Sequence, residues 1–315
     1  MNSRTSPSNV GRHFTTSQRK KGAFCCALLT LSVLVACGSP SGADGGTGGG
    51  SASGGGTGQS GSGGGSAVSR SDGGIDPCVV GTVPPSLRSA WGLSIFYVKH
   101  VDLRGFPILS SAKVSDRALC TAYDVVAHML LARPELIDRL VARKIRLAIM
   151  APTELTTDIP EHSDLTPKDY WDMRARGLGA TLFRPAVSAA EENVLCLDTD
   201  RYRGESILVH EFSHAIFNMA IELDEPAQGR ELDASYAAAI DGGLFSNTYA
   251  GTNRDEYWAE GAQNWFDTNA TAVPSNGIHN EIHTRAQLQT YDPRLSALLQ
   301  SVFGPSNWKY SCPAP

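Results

Sequence analysis

An α+β fold is predicted for residues 75–315, and three features of the sequence predict it. Two short runs rich in β-branched and aromatic residues stand as strands in the first half. Helical patterns lie between and after them, and a long proline-free helical stretch sits near the middle, from Arg203 to Glu222. Helices before and after a small sheet, around a central helix, fit that class.

The elements follow in order. Leu93 to His100 (LSIFYVKH) reads as the first strand and Arg146 to Met150 as the second. Val114 to Ala132 and Glu135 to Arg143 read as helices between them, with Pro134 opening the latter. In Arg203 to Glu222, Leu208, Phe212, Ala215 and Met219 recur at helical spacing and form a core stripe. Asp255 to Phe266 reads as a further helix flanked by aromatics. Thr284 to Gln287 is a capping box opening a late helix, which Asp292-Pro293 ends or interrupts. The segment Arg176 to Leu182, with Gly177 and Gly179, fits an edge strand and a plain loop equally well.

Ahead of this domain the composition changes twice. Arg4, Arg12, Arg19, Lys20 and Lys21 precede an apolar run, Ala23 to Ala36, too short to span a membrane. Residues 1–36 therefore read as a secretory signal. Leu34-Val35-Ala36-Cys37 looks like a bacterial lipobox, which makes Cys37 the expected lipidation site. Residues 37–74 follow as a Gly/Ser-rich tether, with a reach of roughly 30–35 Å as a flexible coil. These features predict an exported lipoprotein of the bacterial cell envelope, at the outer membrane or cell surface. Its only membrane contact would be the lipid. A net charge of −5, with basic residues dispersed, gives no footprint for nucleic acid.

Seven cysteines divide accordingly. Cys25 and Cys26 leave with the signal, and Cys37 takes the lipid. Cys78, Cys120, Cys196 and Cys312 remain, enough for two disulfides in an exported domain, with three connectivities open.

The most informative residues are His210-Glu211-Phe212-Ser213-His214. Two imidazoles four apart on a helix lie one above the other and can close on one metal ion. Glu211 beside them can reach a metal-bound water without ligating. Zn2+ is the expected ion, since it accepts neutral imidazole and works with an open coordination position. Two histidines leave one protein ligand wanting. Glu256 and Glu260, again four apart, supply one ligand and one partner for a ligating imidazole. Asp255 is a weaker rival, pointing roughly 100° away around the helix. His279 and His283 repeat the four-residue spacing, but Asn276-Gly277 marks a turn, which favours a structural or substrate-lining role over a second metal pair.

These blocks, HEFSHAIF and YAGTNRDEYWAE at 249–260, resemble zinc peptidases with two His and one Glu as ligands, closest in pattern to the catalytic domain of anthrax lethal factor. The resemblance implies a zincin-like domain with His210, His214 and Glu256 as zinc ligands and Glu211 as general base. It implies Tyr249 as donor to the reaction oxyanion and Glu260 in support of a ligand. It covers two short blocks, and Leu223 to Thr248 between them does not align, so substrate preference does not carry over. The expectation is a lipid-anchored zinc endopeptidase acting on a peptide or protein substrate. The competing readings are a catalytically silent surface binder using the same groove and a hydrolase of peptidoglycan peptides.

Overall fold

The computed structural model describes residues 75–305 and 307–311. The expected signal, Cys37 and tether lie outside the described residues, as does Cys312. Among the described residues the fold is α+β, a six-stranded mixed sheet with ten α-helices.

The chain enters through β1 (Gly81–Thr82) and α1 (Pro85–Trp91), then forms a hairpin of β2 (Lys99–Leu103) and β3 (Phe106–Ser110). Helices α2 (Asp116–Met129) and α3 (Glu135–Ala142) cross to β4 (Arg146–Met150), which pairs parallel to β3. After α4 (Lys168–Arg174) come β5 (Gly177–Leu178), β6 (Ala186–Ala190) and α5 (Glu191–Val194). The sheet order is β1-β2-β3-β4-β6-β5; β6 lies parallel to β4, and β5 is an antiparallel edge strand. The remainder is helical: α6 (Ile207–His214), continued by a π-helical turn Ala215–Ile221, then α7 (Pro226–Asp241), α8 (Arg254–Trp265), α9 (Arg285–Tyr291) and α10 (Pro293–Phe303).

The sheet is buried on both faces, and the pleat sorts its side chains between two cores. Ile108, Leu147, Ile149, Val187 and Ala189 face the large core built with α2, α3, α6, α8 and α10. Leu109, Ala148, Met150 and Ala190 face a smaller one with Val83, Leu93 and Tyr97. Cys78 bonds Cys120, tying the segment before β1 to α2. Cys196 is also disulfide-bonded.

Two expectations need correction. The first strand does not occupy Leu93 to His100; it begins at Lys99 and runs through Leu103. The Arg88 guanidinium explains the delay, because it binds the carbonyls of Leu93, Ser94 and Tyr97 and takes them out of any ladder. Ile95 is left 88% exposed in the resulting turn. The second concerns Met219, which is only partly buried rather than in the core stripe. The π-helical turn after His214 shifts the register, so Ile216, Phe217, Ala220 and Ile221 fill the core instead.

Candidate metal centre

Helix α6 starts where Ser206 caps it, its hydroxyl accepting from the Val209 N–H at 3.3 Å. All eight residues of α6 are buried. That is unusual for a helix carrying two His and a Glu, since buried polar groups need partners. The partners come mainly from α8. Asn253 caps α8 through the N–H groups of Asp255 and Glu256, at 2.9 and 3.0 Å. The Trp258 indole N–H donates to the Ser213 carbonyl at 2.9 Å, locking α8 onto α6 where the π-helical turn begins.

Three ligand-type atoms converge between the helices. His210 Nε2 lies 2.9 Å from Glu256 Oε2, His214 Nε2 lies 3.2 Å from His210 Nε2, and His214 Nε2 lies 3.5 Å from Glu256 Oε2. A tetrahedral ion with bonds of about 2.0–2.1 Å separates its ligands by about 3.3 Å, so the triangle has the size of one zinc coordination face. His210, His214 and Glu256 are thus a buried group that could hold a metal ion. Asp255 does not join it.

Electrostatics favour a cation at that point. Burial alone would lower the His210 pKa, yet the hydrogen bond and charge of Glu256, with Glu211 and Glu260 behind, carry it up to about 10. Against its own burial, the Glu256 carboxyl is held well below the usual carboxylate range by His214 and by hydrogen bonds from both histidines. The Glu211 carboxyl is raised by burial, opposed by the two histidines and by a hydrogen bond from the Gly179 backbone. Several buried carboxylates around two imidazoles create a field that calls for positive charge.

The outer partner of His210 is Gln263, a residue the sequence reading passed over. Gln263 Oε1 lies 2.9 Å from His210 Nδ1, and its amide nitrogen donates to the Ser206 carbonyl at 3.2 Å. This bond holds a proton on Nδ1, so Nε2, which faces Glu256 and His214, is the nitrogen that would ligate an ion. Glu260, expected in that role, stands 3.7 Å from Nδ1 and instead accepts from Asn269 at 2.9 Å. A signal existed: Gln263 follows Glu256 by seven residues, two turns along the same face of α8.

Tyr249 lies in the loop before α8, buried, with its ring centroid 6.2 Å from that of His210. Its N–H donates to the Ile278 carbonyl at 2.8 Å. Burial first, and then the charge of Glu256 and the hydrogen bond to it, hold the phenol well above the usual tyrosine range, so it remains a donor.

The segment from Arg176 closes the site from the sheet side. Gly177 and Leu178 are the edge strand, and Gly179 follows against α6. A Cβ on Gly177 would sit 2.5 Å from Ile207 Cγ2 and 3.1 Å from Glu211 Cγ; one on Gly179 would sit 3.2 Å from His214 Cβ. The approach at Gly177 leaves no room for a Cβ, and at Gly179 a Cβ would fit only if His214 gave way by a few tenths of an ångström. Of the second histidine pair, the His283 ring bonds the Glu281 carbonyl at 3.0 Å, while His279 turns inward toward Glu205 and Glu260.

No protein-family model matches the chain, and no curated protein matches it.

Proposed function

We propose that this chain is a zinc endopeptidase of zincin-like architecture, with His210, His214 and Glu256 as ligands. The observation that carries the reading is the triangle of Nε2, Nε2 and Oε2 atoms at zinc spacing, with a buried Glu211 next to it in sequence. When bound, zinc supplies Lewis acidity, acidifying a water molecule and polarising a carbonyl oxygen.

The chain's own residues do the rest. Glu211 takes the proton of the attacking water and returns it to the leaving amine, its carboxylate aimed by the Gly179 N–H. Tyr249 donates its hydroxyl to the oxyanion as the tetrahedral intermediate forms. The open edge of Gly177–Leu178 supports an extended peptide added as a further strand, a common recognition mode. Export, acylation at Cys37 and a 37–74 tether would hold the domain outside the cell. Incubating the purified protein with a peptide library, with and without a chelator, tests the reading. Chelator-sensitive cleavage is expected; zinc retained with no cleavage would favour the silent binder, and cleavage confined to peptidoglycan peptides would favour the cell-wall hydrolase.

A further inference from the structure

A second set of ligand-type side chains converges behind His210, on the Nδ1 side of its ring. Glu205 stands at the residue before the cap of α6, Glu260 lies on α8, and His279 comes from the loop that follows α8. Each offers one ligand atom, and the three atoms lie within 4.8 Å of one another. His279 Nε2 is 3.7 Å from Glu205 Oε1, and its Nδ1 is 3.9 Å from Glu260 Oε2. These gaps are too long for hydrogen bonds. They start from opposite ring nitrogens, of which one can face an ion shared with the two carboxylates, since one atom from each residue falls within 4.8 Å of the others.

Unsatisfied atoms belong to residues on the Glu260 side of His279. The His279 side chain is 9% exposed, and its Nδ1 is buried with no hydrogen-bond partner. Asn264 Oδ1 and Asn269 Oδ1 are likewise buried and unpaired. Glu260, Asn264, Asn269 and His279 all line one small cavity, with about 10 Å³ of space for the centre of a water-sized particle. That is room for a single water or ion. Native interiors rarely leave such atoms orphaned, and three at one cavity need a common cause. Two are amide oxygens and one is an imidazole nitrogen beside a carboxylate. An acceptor-rich shell is better served by a cation than by a water, which has two hydrogens to give.

We propose that Glu205, Glu260 and His279 form a second divalent-cation site, beside the cavity that Asn264 and Asn269 line. The donor set names the class of ion. An imidazole with carboxylates suits zinc or manganese, whereas calcium and magnesium prefer all-oxygen shells. The ion would tie the start of α6, the middle of α8 and the loop after it into one unit. It would also fix Glu260 beside His210 Nδ1, and Glu205 beside the Gln263 amide that orients the same ring, 3.5 Å away. The site is independent of the peptidase reading, because none of its residues ligates the first ion.

Metal content separates the two centres. Purified protein is dialysed against Zn2+, and separately against Mn2+, and metal per chain is measured after removal of loose ion. Wild type should hold about two equivalents. His279→Ala should lose one, and so should Glu205→Gln, which removes one charge with little change of shape and guards against a folding defect. His214→Ala should lose the other, and His214→Ala with His279→Ala should hold none. One equivalent in wild type that survives in Glu205→Gln and His279→Ala but not in His214→Ala would overturn the second site and leave the first intact. Crystals measured at the zinc edge give an independent readout: an anomalous peak between Glu260 and His279 supports the site, and a peak at His210 alone refutes it.

Discussion

Gln263→Leu removes one hydrogen-bond acceptor from a side chain that is fully buried. The Ser206 carbonyl, which Gln263 also serves, keeps its bond from the His210 N–H at 3.2 Å, so the main orphan is the Nδ1–H of His210. The nearest replacement, Glu260 Oε1, is 3.7 Å away, too far without movement. Burying an unpaired donor costs about 1–3 kcal/mol. Losing the outer partner of a ligating histidine lowers metal affinity about 10–100-fold, equivalent to about 1.4–2.7 kcal/mol. A competition titration with a fluorescent zinc chelator reads the affinity, and a urea melt in EDTA reads the fold. Weaker zinc binding in a folded variant is expected. A folded Gln263→Leu protein with wild-type zinc affinity would show that Gln263 does not set the His210 tautomer.

Three further outcomes follow from the geometry. Gly177→Ala places a Cβ 2.5 Å from Ile207 Cγ2 and 2.9 Å from the Ser188 carbonyl, so the urea midpoint should fall by the equivalent of about 1–3 kcal/mol; an unchanged midpoint would mean the edge strand can move freely. Tyr249→Phe should leave zinc content intact and slow kcat by about 10²–10³, typical of one lost oxyanion donor, and an effect on KM alone would make Tyr249 a groove residue. His162, bonded to Ser188 Oγ at 3.0 Å, is held neutral by burial with its pKa lowered to about 4. The unfolded chain takes up that proton below about 6.5, so stability rises with pH between 4 and 6.5 and is lost on acidification, by up to about 3 kcal/mol. Urea melts at several pH values should show a shallower slope over that window for His162→Gln, and equal slopes would contradict it.

What could be read from the sequence depended on how far each segment's own residues decide its structure. Helices α2, α8 and α9 carry their caps in their own sequence, as with Ser115, Asn253 and the Thr284–Gln287 box, and α3 carries its start in Pro134. The two histidines were legible because helical spacing fixes which residues share a face, whereas the choice of Glu256 over Glu260 came from the resemblance to two-His/one-Glu peptidases. Strands β3 and β6 were not, because a sheet buried on both faces shows no alternation, and Ala186–Ala190 has one β-branched residue. Helix α7 fell within a stretch that matched nothing, and its Ala-rich sequence has few core positions. The delay of β2 depends on Arg88, a contact from another element that no local pattern carries. Gln263 is the instructive omission: attention to charged residues on α8 passed over a neutral amide two turns from Glu256, although an amide can both accept from the imidazole and donate to the backbone.

Glu211→Gln separates metal binding from hydrolysis, with zinc content and peptide cleavage measured on the same preparation. Glu211 is not among the three converging ligands, and the amide keeps the shape of the carboxylate. The variant should therefore bind zinc at His210, His214 and Glu256 as wild type does, while cleavage falls by about 10²–10⁴ with loss of the general base. A zinc-loaded Glu211→Gln protein that cleaves peptides at the wild-type rate would show that Glu211 is not the general base.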